Sequence, residues 1–157
     1  MGSSSSKDDV TMESEDDEER EYAKVYILKT ALGIGGSMSL VNHWALVFEF
    51  ESGRYPWVTI EGVGRDGVLC PGYKSRSSKP SGTLIDPQDP LNIVLSSMTY
   101  NFKTLIASKK LPKRVYMSPK EVYNVAMNND LNYKPYIVGI NDCQSWVISA
   151  AGDLEED

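Results

Sequence analysis

Two side chains in this sequence have the chemistry of a nucleophile and its base, and they are Cys143 and His43. Asn141 or Asp142 is a natural helix N-cap, and apolar residues recur at helical spacing after the cysteine. Cys143 therefore falls in the first turn of a predicted helix. Unsatisfied backbone N–H groups and the helix dipole favour a thiolate there.

His43 has the properties of the partner that such a thiolate needs. The partner must accept the thiol proton and return it to a leaving group, which suits an imidazole because its unperturbed pKa is about 6.5. His43 is the single histidine of the chain and opens a predicted strand. Each residue taken alone also fits a structural role, so the interpretation depends on the motifs in which the two residues lie.

The number of cysteines and histidines limits other kinds of site. Cys70 is the second of the two cysteines, and a disulfide is not expected in the cytosolic protein predicted below. Two cysteines and one histidine do not make a conventional zinc site without carboxylate help. We therefore expect no metal ion and no cofactor.

Two predicted strands would position the histidine. His43–Phe50 and Tyr55–Glu61 are rich in β-branched and aromatic residues, as strands are. They flank Glu51–Arg54, a hairpin turn in which Gly53 supplies a positive φ. Lys24–Lys29 has an alternating pattern and predicts an earlier strand.

The middle of the chain separates this hairpin from the cysteine. Gly62–Pro90 is rich in Gly, Pro, Ser and Lys, which predicts a long surface loop and a candidate contact site for a protein partner. Three short elements are predicted next: a strand at Asn92–Leu95, a helix at Phe102–Ser108 and a strand at Arg114–Met117. Ser118, Pro119 and Glu121 have the spacing of a capped helix start, and the helix is predicted to run to about Asn129.

Two short motifs resemble a known family. His43–Leu46 (HWAL) opens a strand and Asn141–Trp146 (NDCQSW) opens a helix, and they are similar to the H-box and NC-box of lecithin:retinol acyltransferase-like proteins. These proteins belong to the permuted papain-like superfamily, with phospholipid and retinoid acyltransferases, small phospholipases and the PPPDE peptidases that remove ubiquitin-like modifiers. The resemblance covers roughly residues 22–151. It implies an α+β, circularly permuted papain-like fold, with a small antiparallel sheet packed against the helix that carries the cysteine.

The resemblance implies a third polar residue that orients the imidazole from the strand after the histidine. Thr59 and Glu61 are the candidates, and period-two alternation places both on one strand face. Glu61 is preferred because a carboxylate both fixes the tautomer and stabilises the imidazolium. Family members often carry an aromatic residue several positions before the cysteine, and Tyr136 fills that place as a further alternative.

The resemblance also implies how the oxyanion is bound, and the chain departs from the family in two places. The backbone N–H of Cys143 is the implied donor, with Gln144 or Asn42 as further candidates. Asp142 stands where asparagine is usual, and its charge opposes the effect of the helix dipole on the thiol. The chain ends in the acidic Gly152–Asp157, where the membrane-bound acyltransferases have a hydrophobic anchor.

The predicted function is a cysteine-nucleophile hydrolase or acyltransferase that acts on an ester or amide carbonyl through a thioester intermediate. A peptide, an acyl lipid or a small amide fits this chemistry as the substrate. The alternative is a catalytically inactive papain-like domain that serves as a protein-binding module. Asp142 and the undecided third residue keep this alternative open.

Length and charge set the limits of the whole molecule. The chain has 157 residues and a net charge of −6. Residues 1–21 are predicted to be a disordered acidic tail and residues 152–157 a short acidic tail, which leaves residues 22–151 for one domain. The acidic balance gives no reason to expect nucleic-acid binding. The expected location is the cytoplasm, and Gly2, a candidate for myristoylation, would add only weak membrane association.

Overall fold

A computed structural model describes residues 16–30, 43–86, 111–137 and 142–154. These residues form six strands and two helices, which confirms the predicted α+β class. In chain order they are β1 (Glu21–Thr30), β2 (His43–Phe50), β3 (Trp57–Arg65), β4 (Val68–Arg76), β5 (Thr83–Ile85), β6 (Arg114–Met117), α1 (Pro119–Met127) and α2 (Cys143–Gly152). The predictions that lie outside the described residues concern residues 1–15 with Gly2, Asn42, Asn92–Leu95, Phe102–Ser108, Asn141 and residues 155–157.

The six strands form one antiparallel sheet in the order β4-β3-β2-β1-β5, and β6 pairs with the first part of β1. β2 and β3 are the predicted hairpin, with Leu46 opposite Ile60 and Glu49 opposite Trp57. β3 begins two residues later than predicted and continues to Arg65. The start of β2 therefore lies towards the end of β3.

Alternation along the strands gives the sheet two different faces. One face packs against both helices, and its buried apolar residues include Val25, Ile27, Trp44, Leu46, Phe48, Val58 and Ile60. Trp146 and Val147 of α2 join this core and are fully buried. Each large side chain buried there contributes about 1.5–3 kcal/mol, so this core holds α2 against β2 and β3. The opposite face carries a smaller cluster, Leu28, Ala45 and Val47.

The prediction of a loop over Gly62–Pro90 is wrong. β3 continues through its first residues, β4 follows as the second arm of a hairpin, and β5 lies further on. Asp66 and Gly67 form the turn with φ values of 52° and 80°, as a two-residue type I′ turn requires. Pro71 is tolerated because β4 lies at the end of the sheet order and, among the described strands, pairs only with β3.

The helix starts follow the predicted capping chemistry. Ser118 and Glu121 make a capping box at the start of α1, which ends at Met127, two residues before the predicted end. β6 has the predicted bounds. Among the described residues, no helix is long and apolar enough to cross a bilayer.

The residues just before β1 contact the start of α1. The backbone N–H of Lys120 donates to the carbonyl oxygen of Asp17 at 2.9 Å. Arg20 makes two hydrogen bonds to the Glu121 carboxylate, at 2.9 and 3.1 Å. This part of the predicted tail is thus positioned against the domain, and β1 begins at Glu21, one residue before the predicted boundary.

Candidate active site

Helix α2 begins at Cys143 because Asp142 caps it. The Asp142 backbone is extended, with φ −131° and ψ −173°, and its carboxylate accepts hydrogen bonds from Ser145 N at 2.9 Å and Ser145 Oγ at 3.1 Å. This is the N-cap arrangement, in which a side chain bonds an otherwise unsatisfied backbone donor of the first turn. Cys143 is therefore the first helical residue, as predicted.

Trp146 fixes where α2 lies relative to the sheet. Its indole Nε1 donates to Asn132 Oδ1 at 2.8 Å, and its carbonyl oxygen accepts from Asn129 Nδ2 at 3.0 Å. On the sheet side the indole lies over Gly62, where a Cβ would be only 2.4 Å from Trp146 Cγ. A glycine at this position in β3 permits the close approach of strand and helix. Neither asparagine nor this glycine was among the predicted site residues, although a glycine inside a strand is itself a signal of close packing.

On β2 and β3, His43 and Glu61 lie on the same sheet face and contact each other. His43 Nε2 pairs with Glu61 Oε1, and the two side chains are only 17% and 9% exposed. Thr59, the alternative on the same strand face, is buried, and no described residue bonds its hydroxyl oxygen. Of the two candidates, Glu61 is the residue that contacts the imidazole.

The same imidazole also reaches Cys143. Burial by itself lowers the pKa of His43, but side-chain hydrogen bonds with Cys143 and Glu61, and the charges of both, outweigh it and raise the pKa from 6.5 to about 10. His43 therefore bridges the thiol and the carboxylate. A protonated imidazole at neutral pH is stabilised by this pairing.

Tyr136 lies beside Cys143. Its pKa is raised above 10, first by burial and then by the charges of Cys143 and Asp142, while a hydrogen bond from the Cys143 backbone N–H partly opposes the rise. Its aromatic ring packs on Gly64, where a Cβ would lie 2.9 Å from Tyr136 Cδ2. Tyr136 thus contacts the nucleophile candidate, whereas the imidazole is oriented by Glu61.

Backbone pairing with the β3–β4 hairpin positions Tyr136. Its N–H donates to Gly67 O at 2.9 Å, and Leu69 N donates to Lys134 O at the same distance. A single bridge joins Val68 to Pro135. The β3–β4 turn, which lies in the segment predicted as a loop, therefore supports the part of the site that contains Tyr136.

The remaining residues singled out in the sequence are Gln144, Asn42 and Cys70. Gln144 is 4% exposed and follows Cys143 in the helix, and Asn42 lies outside the described residues. Cys70 is half-buried in β4, opposite Val63, and both cysteines are free thiols. In the described part of the chain, no group of three or more His, Cys, Asp or Glu side chains could hold a metal ion.

Cys143 itself is only 1% exposed. Neighbouring groups therefore cover it almost completely. Three side chains thus meet in the order Cys143, His43, Glu61, with Tyr136 at the backbone of the first. Comparisons with protein-family models, curated proteins and solved structures found no match to this chain.

Proposed function

We propose that this chain is a thiol hydrolase or acyltransferase with a circularly permuted papain-like fold. Cys143 is the nucleophile, His43 its acid–base partner and Glu61 the residue that orients the imidazole. One observation carries the proposal: the imidazole bonds the thiol and the carboxylate at the same time. Such a chain is the arrangement by which a thiol is activated and its imidazolium held in place.

The proposed reaction has two steps. His43, which is protonated at neutral pH, holds the proton taken from Cys143. The sulfur bonds the carbonyl carbon of an ester or amide, and the π pair moves onto oxygen. When the oxyanion collapses, His43 gives its proton to the leaving alcohol or amine, and a thioester remains. Water, or another acceptor in an acyltransferase, then loses a proton to His43 and takes the acyl group. Free Cys143 is restored.

The order of the elements supports the permuted papain-like assignment. In that superfamily the histidine strand precedes the cysteine helix, and here β2 precedes α2. The helix packs on an antiparallel sheet, with the nucleophile candidate at its first residue. A peptide, an acyl lipid and a small amide remain the proposed substrate classes, in a cytoplasmic protein.

Labelling with a cysteine-directed activity-based probe tests the proposal. We expect mass spectrometry to locate the probe on Cys143, and the variants Cys143→Ala and His43→Ala to lose labelling and turnover while remaining folded. Cys70→Ala is the matched control and should behave like the wild type, because Cys70 lies in β4 rather than beside His43. If only the Cys70 variant loses labelling, Cys70 and not Cys143 is the reactive thiol, and the proposal is wrong.

A second function, that of an inactive protein-binding module, is favoured by one observation. The 1% exposure of Cys143 is that of a core residue, and a thiol that never opens to a substrate performs no catalysis. The two functions differ in the reaction of the folded protein with iodoacetamide at pH 7. Alkylation of Cys143 no faster than that of free cysteine supports the binding module, and faster alkylation supports the enzyme.

A further inference from the structure

The backbone N–H of Cys143 already has a hydrogen-bond acceptor. In acyl transfer by a thiol at a helix start, this N–H is the group that the resemblance implies for binding the oxyanion. It faces the hydroxyl oxygen of Tyr136, a contact that by itself lowers the pKa of this tyrosine. The position agrees with the packing, since Tyr136 lies over Gly64 and Trp146 of the same helix start lies over Gly62, two residues away on β3. The hydroxyl oxygen therefore lies where the N–H of the nucleophile points.

Packing holds the Tyr136 ring at this position. The ring covers Gly64 so closely that a Cβ there would lie 2.9–3.2 Å from three of its carbons. The backbone of Tyr136 is fixed separately by its bond to Gly67 O. The backbone is thus anchored to the β3–β4 turn, and the hydroxyl shifts only when the ring turns away from Gly64 about the Cα–Cβ bond.

A tyrosine hydroxyl is both an acceptor and a donor, so it can replace a substrate oxygen and then bond to it. Burial and the charges of Cys143 and Asp142 raise the pKa of Tyr136, which keeps the hydroxyl protonated over the physiological range. Loss of its proton would add an anion beside the developing oxyanion. A neutral phenol is the form that can donate.

We infer that Tyr136 is the second oxyanion donor, and that its hydroxyl occupies the place of the substrate carbonyl oxygen until a substrate enters. The inference rests on the proposed function. On substrate binding, the Cys143 N–H exchanges the hydroxyl for the carbonyl oxygen, and the displaced hydroxyl donates to that same oxygen. Tyr136 keeps its proton throughout and shares it only in a hydrogen bond.

Two reagents separate this role from activation of the thiol. p-Nitrophenyl acetate acylates Cys143 through an oxyanion: the sulfur bonds the carbonyl carbon, His43 keeps the proton taken from the thiol, and p-nitrophenolate leaves with its bonding pair. Iodoacetamide alkylates the same sulfur by displacing iodide, and no oxyanion forms. Both reactions are followed on the full chain by mass spectrometry of the Cys143 peptide.

For Tyr136→Phe we expect the acylation rate to fall by about 100-fold, the size of effect seen when one oxyanion donor is removed, and the alkylation rate to be unchanged. Tyr133→Phe is the matched control, since Tyr133 is 61% exposed on the same segment, and both rates should be unchanged. Unaltered acylation in Tyr136→Phe, or an equal fall in both rates, would overturn the inference.

The design also distinguishes failure of the proposed function. If neither reagent modifies Cys143 of the folded wild type, the nucleophile assignment is wrong and the inference is wrong with it. If the wild type is acylated at Cys143 and Tyr136→Phe is acylated equally fast, the nucleophile stands and only the role of Tyr136 is rejected.

Discussion

Cys143 and Glu61 are the two side chains that raise the pKa of His43, and Glu61 is the one that shares its sheet face. It contacts His43 Nε2, and both groups are shielded from solvent, so water screens their attraction little. Sequence alone could not separate Glu61 from Thr59, because residues two apart share a face. The hairpin register decides between them: β2 and β3 are antiparallel, so the later residue of β3 lies nearer the first residue of β2.

Removing the Glu61 charge should lower the pKa of His43. In Glu61→Gln we expect it to fall from about 10 by roughly 1–2 units, because the imidazolium loses an adjacent opposite charge. NMR titration of the imidazole measures this directly, since the chain has one histidine. Thr59→Val, a change on the same strand face, should leave the pKa of His43 unaltered. If His43 has the same pKa in Glu61→Gln and in the wild type, Glu61 is not the partner that raises it.

At the scale of elements, the spacing between β3 and α2 determines whether the thiol reaches the imidazole. Gly62 and Gly64 lie on the same face of β3, one beneath Trp146 and the other beneath Tyr136. The strand thus offers bare backbone at the two points where the site packs against it. The helix start was predictable from its N-cap, but this spacing was not, because the glycines were assigned to a loop on composition. The Asp66–Gly67 pair was a stronger signal, for a hairpin.

Gly62→Ala should therefore disturb both packing and chemistry. Its Cβ would lie 2.4–2.9 Å from three Trp146 atoms, and we expect a loss of about 1–3 kcal/mol in the free energy of unfolding. The pKa of His43 should fall as well, because displacing α2 separates Cys143 from the imidazole. Urea denaturation and the imidazole titration measure the two effects. Gly152→Ala, with no atom within 4 Å of its Cβ, should cause neither, and a similar loss there would contradict the argument.

The aspartate that departs from the family pattern has a structural role in α2. Asp142→Asn keeps an N-cap acceptor for Ser145, so stability should change by less than about 0.5 kcal/mol, whereas Asp142→Ala should cost about 1 kcal/mol. The asparagine variant should also react faster with iodoacetamide, because an anion next to the thiolate is removed. Thermal unfolding and alkylation rates test both statements. An asparagine variant as unstable as the alanine variant would show that the cap is not the reason for the aspartate.

At the scale of the whole molecule, the site joins residues that are far apart in the chain. The α+β class could be predicted, because strand pattern and capping signals are local properties, whereas the pairing of His43 with Cys143 was predicted from the resemblance of two motifs. The burial of the thiol and the position of Tyr136 at its backbone could not, since they depend on how segment 133–137 pairs with β4. Long-range packing of this kind leaves no short sequence pattern.

The shifted pKa of His43 links the site to global stability. Because it is raised from 6.5 to about 10, the imidazolium contributes stability that is fully present below pH 6.5 and is lost as the pH rises to about 10. We expect the free energy of unfolding of the wild type to fall over this window. Urea denaturation between pH 6 and 10 measures it, with His43→Gln as the reference. If the free energy of unfolding changes equally with pH in the wild type and in His43→Gln, the linkage is contradicted.

The covering of Cys143 has a consequence for oxidative damage. Peroxide converts a cysteine to sulfenic acid only where the sulfur is accessible, and at 1% exposure this thiol is protected in the resting protein. Under the proposed function, the opening that admits a substrate would admit peroxide as well. Where this opening limits both rates, inactivation by peroxide and turnover share one temperature dependence, and a tightly bound competitor slows the oxidation of Cys143.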